Sequence, residues 1–472
     1  DLPDFNLATG QNYRLTGGGN EWAIMGVFYR LNYDYKGKYL LEFNGRYDGS
    51  SKFPESQRFG FFPSASAGWR ISEEAFMEST KDWLQNLKLK ASYGGVGNDR
   101  VGSYYAYQAL YGPTSSAGAV GVKLNQLENE NIKWETNIQT NIGLEFSVFN
   151  KLSGSIVYFT GKSKDLLLDR PLAPSLGMDA ILTNIGDVQN KGWEVDLSYA
   201  AIRKKDFDWN VSLNATSYKN TITSLPSKEE QFNQGVAIFK WREGGSRYDI
   251  YAPDYAGVNP ENGHNQWWKY AFDENGNITG QSKTENYNEV NVNEQRRNQG
   301  SVLPDVYGAL TNNFRYKGLD LSFMLYYSFG GKIYDYNYSE SNVLRENFAA
   351  YDNLDRRWQQ PGDITDVAKI YTYETFNAFA NARYSDQYIF NNDFVRLKNV
   401  MLGYTLPQSL VSKCGLSSLR IYFRGDNLLT FGSAEKRGTD PENFGSGLVG
   451  VIDASSGVPA LRSYTLGLNI SF

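Results

Sequence analysis

The last ten residues, Ser463 to Phe472, constrain the fold of this chain more than any other stretch. Tyr464, Leu466, Leu468, Ile470 and Phe472 share one parity, while Thr465, Gly467, Asn469 and Ser471 share the other. A period of two puts the first set on one face of a strand and the second on the opposite face. One face is apolar throughout and the other polar or small, as in a strand with lipid on one side and a wet interior on the other. A half-buried strand of an ordinary sheet has the same period, so the assignment depends on recurrence.

The pattern recurs. From Trp134 to Val148 the even positions read Trp, Thr, Ile, Thr, Ile, Leu, Phe, Val, and the odd positions Glu, Asn, Gln, Asn, Gly, Glu, Ser. Such a run is longer than the globular strand of about 5 or 6 residues, but it suits a tilted strand that continues above a bilayer. Trp193, Val195, Leu197 and Tyr199 oppose Glu194, Asp196 and Ser198; Trp209, Val211, Leu213 and Ala215 oppose Asn210, Ser212 and Asn214; Tyr39, Leu41, Phe43 and Tyr47 oppose Glu42, Asn44 and Arg46. Glutamate and arginine facing a closed core would be costly, whereas a water-filled lumen accepts them.

Alternating segments predict an all-β, antiparallel transmembrane barrel wall of about fifteen strands, near residues 22–34, 39–49, 59–71, 86–95, 133–149, 151–168, 185–199, 207–221, 236–243, 247–257, 303–317, 319–330, 393–406, 418–431 and 463–472. Short connections fall at 35–38, Asn150, 202–206, Gly244-Gly-Ser246, 317–318 and 407–416, and long ones at 96–132, 258–302, 331–392 and 432–462. Short turns on one side and long loops on the other form the periplasmic and extracellular asymmetry of outer-membrane barrels. If the last strand descends to the periplasm, parity assigns every short connection to that side. Residues 72–85 are longer; Ser72-Glu-Glu reads as a capped helical turn in a small elbow. Parity also puts residues 1–21 in an extracellular loop, followed by wall from 22 to 472. An odd strand number starting from a loop does not close, so the chain, which begins Asp1-Leu2-Pro3-Asp4, is expected to be a mature form or the carboxyl-terminal part of a larger barrel. Separation from the preceding half is expected within that exposed loop.

Composition agrees. Tyr (34), Phe (27) and Trp (10) make up 15% of the chain, beside 46 Gly, yet mean hydropathy is −0.51. Aromatic-rich but hydrophilic on average is the balance of an apolar band alternating with lumen residues and solvated loops. No apolar run reaches the ~18 residues of a spanning helix. A net charge of −5, with basic and acidic residues well mixed, leaves no nucleic-acid footprint. Cys414 is the single cysteine, which excludes an internal disulfide and cysteine-built metal sites. His264 is the single histidine and sits in the loop Asn259-Pro-Glu-Asn-Gly-His-Asn265, so no catalytic constellation is visible and no enzyme is expected.

Specific motifs narrow the class. Tyr39-Leu-Leu-Glu-Phe-Asn-Gly-Arg-Tyr-Asp-Gly-Ser-Ser-Lys-Phe53, Arg58-Phe-Gly-Phe-Phe-Pro-Ser-Ala-Ser-Ala-Gly-Trp-Arg70, Leu87-Lys-Leu-Lys-Ala-Ser-Tyr-Gly94 with Gly97-Asn98, Asn190-Lys-Gly-Trp-Glu194, Tyr316-Lys-Gly-Leu-Asp-Leu-Ser-Phe323, Phe394-Val-Arg-Leu-Lys-Asn-Val-Met-Leu-Gly-Tyr-Thr-Leu-Pro407 and Gly425-Asp-Asn-Leu-Leu429 follow one another along nearly the whole chain. They resemble the SusC/RagA-type TonB-linked outer-membrane transporters of Bacteroidota. The resemblance implies a 22-stranded barrel, about the size class with a plugged lumen, and TonB-dependent active import of oligosaccharides or oligopeptides across the bacterial outer membrane. It also implies a SusD-like lipoprotein lid, energy from TonB-ExbB-ExbD through an amino-terminal part and plug that precede the barrel, a remaining amino-terminal barrel chain, and a dimer of SusC-SusD pairs. Alternatives of other classes are a passive porin, or an outer-membrane enzyme or adhesin of β-barrel type.

Most motif residues have structural roles. Gly45, Gly68 and Gly94 permit bends and close approach, and Trp69, Trp134, Trp193 and Trp209 are expected in the interfacial aromatic girdles. Substrate contact is expected in the long loops, at Trp267, Trp268 and Tyr270, at Tyr334, Tyr336 and Tyr338, and at Trp358, where aromatic faces grip a sugar ring or a peptide side chain. The competing reading is that these loops only pack against the lid. No cofactor is expected except a structural calcium at Asp273, Asn275 and Asn277, whose spacing is short of a full calcium loop.

Overall fold

A computed structural model describes residues 19–116, 119–225, 231–232, 239–342, 355–370, 385–432, 438–443, 451–452 and 459–472. Thirteen strands form one antiparallel sheet in chain order. They are β1 (Ile24–Tyr35), β2 (Tyr39–Ser50), β3 (Phe59–Arg70), β4 (Leu84–Asn98), β5 (Glu135–Val148), β6 (Leu152–Pro171), β7 (Ala180–Arg203), β8 (Phe207–Ser224), β9 (Val306–Tyr316), β10 (Leu319–Phe329), β11 (Phe394–Thr405), β12 (Ser418–Gly432) and β13 (Ser463–Ser471). Among the described residues no pairing joins β1 to β13, so the wall is open.

The register carries the alternation round the wall. One row runs Glu42, Ser66, Ser92, Asn141, Phe159, each opposite the next. The opposite parity supplies exposed Leu41, Phe43, Trp69, Leu89, Ile142, Ile156, Trp193, Leu402, Phe423, Leu466 and Leu468, a continuous apolar band on the outer face. The inner face carries cross-strand ion pairs, Arg30 with Glu42 at 2.6 Å, Lys90 with Glu145 at 2.7 Å and Arg420 with Asp320 at 2.6 Å. No helix among the described residues is long and apolar enough to cross a membrane; the crossing is by strands.

Two expected wall segments lie elsewhere. Of the expected segment 236–243, residues 236–238 lie outside the described residues and Lys240–Trp241 is a strand among the rest, while 247–257 divides into Asp249–Ala252, paired with Arg297–Ser301, and Tyr255–Val258, paired with Asn265–Phe272. Ile250, Tyr251 and Ala252 are buried consecutively, so both faces are covered and the two-sided wall pattern is absent. Gly244-Gly-Ser246 is accordingly no periplasmic turn. With Gly244 at φ +83°, it folds back on the end of β8, where the Gly244 amide donates to the Ile222 carbonyl and the Ile222 amide to the Gly245 carbonyl, both at 2.8 Å. Removing two strands preserves parity, so the short and long connections keep their sides.

The elbow between β3 and β4 consists of short 3₁₀ turns, Ile71–Glu73 and Ala75–Thr80. Ser72 lies buried inside the first turn and caps nothing. Glu74 holds the elbow instead, accepting from the Tyr39 hydroxyl at 2.5 Å and Trp69 Nε1 at 3.0 Å. At Gly45 a Cβ would lie 2.4 Å from the Tyr29 ring, so a side chain there would have to push that ring aside.

Buried apolar clusters gather at the end of the wall that carries the long connections. Phe53, Phe62, Val101, Ala106, Ile132 and Trp134 form one, and Phe239, Ile250, Val302, Tyr334 and Tyr388 another. Trp134 therefore sits in a loop core, with Nε1 donating to the Arg58 carbonyl at 3.0 Å, rather than in the girdle. The reason is that Phe53, Val101, Ala106 and Ile132 of the flanking connections pack over Trp134 and withdraw it from lipid. Residues 1–18, expected in an extracellular loop, lie outside the described residues.

Candidate functional site

The long connections between β8 and β9 and between β10 and β11 build a second layer above the wall. Its centre is a three-stranded antiparallel sheet of Tyr255–Val258, Asn265–Phe272 and Ile278–Thr284. Alternation within Asn265–Phe272 decides what each aromatic residue does. Trp267 is fully buried, edge-to-face with Tyr287 at 5.3 Å and next to Val290. Trp268 points to the other face, half-buried, with Lys283 Nζ 5.4 Å from its ring centre. Tyr270 donates to Asp254 Oδ2 at 2.5 Å and lies under the Arg297 guanidinium at 4.9 Å. Burial, together with the hydrogen bond to Asp254, pushes the Tyr270 phenol up to about 12.

Tyr334 is buried in the loop core, while Tyr336 and Tyr338 are half-buried against it. Tyr338 meets Tyr388 and Phe390 edge-on at 6.2 and 5.9 Å. Trp358 closes over the turn at Gly263, where a Cβ would come within 2.5 Å of the indole, and its Nε1 donates to the Pro260 carbonyl at 3.0 Å. These residues are thus brought to one layer built by the long connections, with Trp267 and Tyr334 inside it and the rest partly open.

In the 259–265 turn, Glu285 accepts from Asn259 Nδ2 at 2.6 Å and Asn262 Nδ2 at 3.0 Å. His264 Nε2 lies 3.0 Å from Lys369 Nζ; burial and then the lysine charge lower its pKa. Asp273 spends its carboxylate on its own turn, Oδ1 accepting from the amides of Asn275 and Asn277 at 2.9 and 2.8 Å and Oδ2 from Asn277 Nδ2 at 3.0 Å. A calcium ion there would compete with those donors. No cluster of three or more His, Cys, Asp or Glu side chains suited to a metal occurs among the described residues.

Two features were not singled out in the sequence. Arg396 of β11, 3% exposed, spans Thr430, Asp440 and Glu442. Lys398 Nζ adds a bond to Glu442 at 2.8 Å, and Asp440 also accepts from the Ala460 amide at 2.8 Å. This fastens the loop after β12 to the inner wall. Asp386, beside Asp254, accepts from the Tyr255 amide at 2.7 Å, and burial raises its carboxyl to about 6. Position within Phe394-Val-Arg-Leu-Lys was the available signal for Arg396; nothing local marked Asp386. On the inner wall a cavity of about 740 Å³ is lined by polar residues including Glu42, Lys88, Lys90, Asn141 and Glu194.

An open antiparallel wall, apolar outside, charged inside and roofed by folded loops, defines the outer-membrane β-barrel class. Residues 1–293 match the family model of TonB dependent receptor-like β-barrels, and the chain belongs to that family. It is 31% identical over 473 residues to the TonB-dependent receptor P3 of Formosa agariphila, covering 96% of this chain and 46% of that protein. It is 29% identical over 476 residues to the TonB-dependent receptor SusC of Bacteroides thetaiotaomicron, covering 95% and 44%. A solved structure of the RagAB peptide importer in its closed-closed state superposes with a TM-score of 0.82 at 26% identity, covering 98% of this chain and 49% of that one. The chain therefore is an outer-membrane barrel of SusC/RagA type and spans about half the length of the curated relatives it matches. Those relatives are named as receptors rather than enzymes.

Proposed function

We propose that this chain forms part of the wall and extracellular mouth of a TonB-driven importer of oligosaccharides or oligopeptides, working with a SusD-like lipoprotein that captures substrate and closes over the barrel. The observation that carries the reading is the folded extracellular layer above a charged lumen. A pore needs only a hydrated interior, whereas loops built as sheets with their own cores present a fixed surface to substrate and lid. Residues 1–21 belong to an extracellular loop in this reading, and 22–472 to the wall and its loops. Trp268, Tyr270, Tyr336, Tyr338 and Trp358 offer partly open rings for substrate or lid, while Trp267 and Tyr334 hold the loops that present them. TonB-ExbB-ExbD act through the amino-terminal part and plug.

The test is uptake of radiolabelled oligopeptide and oligosaccharide pools by the native bacterium, with and without the gene for this chain and with and without TonB. One pool should be taken up only when both are present, and a lipoprotein should copurify with the chain in detergent. Uptake that persists without TonB, or a chain that purifies without any lipoprotein, would refute the importer reading.

A further inference from the structure

A cleft of about 240 Å³ opens on the inner side of the wall at the extracellular ends of β6, β7 and β8. Its floor is aliphatic: Leu166, Leu168, Val188, Ile222 and Leu225 line it, with Val188, Ile222 and Leu225 at 7%, 1% and 7% exposure. Val188 and Ile222 are cross-strand partners and share parity with the lumen residues Asn190 and Asn220, so the cleft faces the interior and not lipid. With a water taking about 30 Å³ of liquid, the space suits one large side chain and the group next to it.

The charges around the cleft are unequal in their commitments. Glu135 accepts from Asn98 Nδ2 at 2.6 Å and the Leu167 amide at 2.8 Å, and Asp187 pairs with Lys162 at 3.0 Å. Arg247 is different. Its backbone is fixed, the amide donating to Asn220 Oδ1 at 2.9 Å and the carbonyl accepting from Trp241 Nε1 at 3.2 Å. Its guanidinium carbon lies 5.1 Å from the centre of the Trp241 ring, and among the described residues no carboxylate comes within ion-pair distance of it. A guanidinium in contact with an indole and without a carboxylate partner keeps its planar fork of N–H donors for a carboxylate, which it takes in two parallel hydrogen bonds.

We infer that this cleft is a subsite for a peptide's carboxyl-terminal hydrophobic residue, with the side chain on the aliphatic floor and the terminal carboxylate on Arg247. Glu135, Asp187, Ser224, Trp241 and Arg247 stand around an aliphatic floor of Leu166, Leu168, Val188, Ile222 and Leu225, and a floor without hydrogen-bonding groups favours an apolar side chain there over the hydroxyls of a sugar ring. This deepens the importer reading and rests on it only for the route by which peptide reaches the lumen.

The test uses the intact transporter containing this chain, purified in detergent with its partners, and calorimetric titration with acetyl-Ala-Ala-Leu, its carboxamide, acetyl-Ala-Ala-Ala and trigalacturonic acid. The free acid of the leucine peptide should bind about tenfold more tightly than its amide and about tenfold more tightly than the alanine peptide, and the acidic sugar should not compete. Arg247→Gln should abolish the acid-over-amide preference and keep the leucine-over-alanine preference. Ser224→Phe, which fills the cleft from its rim, should do the reverse. Equal binding of acid and amide, equal binding of leucine and alanine peptides, competition by the sugar, or a preference for acid that survives Arg247→Gln would each overturn the assignment. TonB-dependent uptake measured in parallel separates the two readings: uptake without this binding pattern removes the subsite alone, and the pattern without uptake removes the importer alone.

Discussion

Arg396→Met offers the sharpest test of how the extracellular layer is fastened. The guanidinium is 3% exposed and its principal partner Asp440 has a side chain 8% exposed, so the pair is removed from water. Deleting one partner of a buried pair costs about 3–5 kcal/mol, because the other charge stays buried. Here the remaining bonds moderate the loss. Asp440 keeps the Glu442 amide at 3.0 Å and the Ala460 amide at 2.8 Å, and Glu442 keeps Lys398. The low end, about 3 kcal/mol, is therefore expected, equivalent to roughly a hundredfold rise in the population with this loop released. The wall itself should be spared, since Arg396 lies in a ladder between β10 and β12 that methionine can occupy. Hydrogen exchange read by mass spectrometry on the purified transporter should show amides of residues 438–443 exchanging about a hundredfold faster, with those of 399–405 unchanged. Adding Asp440→Asn should restore much of the protection by removing the stranded charge. Unchanged exchange in the single variant, or no recovery in the double, would refute the argument.

Three further outcomes follow from the loops and wall. Asp386 has a folded-state pKa of about 6 against the ordinary 3.8, so the fold favours its protonated form; that stabilisation is complete below the ordinary value and is lost as pH rises through about 6, by about 1–2 kcal/mol after discounting for partial exposure. Asp386→Asn keeps an oxygen for the Tyr255 amide and should flatten this dependence, checked by exchange at Tyr255 between pH 4.5 and 8. Trp267→Ala should cost about 3–5 kcal/mol in the three-stranded loop sheet and expose it to protease, while Trp268→Ala should leave cleavage unchanged and alter only binding. Gly192→Ala places a Cβ 2.1 Å from the Ser217 carbonyl oxygen; overpacking of this kind costs about 1–3 kcal/mol, and the barrel should lose its folded migration on unheated gels at a lower temperature.

Much of the wall was legible because its code is local. In Trp193-Glu-Val-Asp-Leu-Ser-Tyr199 each residue declares lipid or lumen by itself, and the register only lines up equal declarations across strands. The same code misled at 247–257, where alternation and turn residues match a wall strand but the segment is enclosed by Arg297–Ser301 and the loop core. Trp134 misled likewise: an indole at a strand end reads as a girdle residue until Phe53, Val101, Ala106 and Ile132 are packed over it.

What the sequence determined alone was the two-faced wall, the alternation of short and long connections and its family motifs, since period and turn length act between neighbours. Tertiary structure alone decided which aromatic rings are buried and which carboxylates and cations are paired among the described residues. Trp267 and Trp268 are adjacent and chemically alike, yet one is sealed against Tyr287 and the other partly open. Arg396 and Arg247 are the same side chain, one locked between two acids from a distant loop and one resting on Trp241 with no carboxylate partner among the described residues. Asp440 and Glu442 stand 44 and 46 positions from Arg396, and Tyr287 belongs to another element than Trp267; a pattern of period two reaches only neighbours and encodes neither contact.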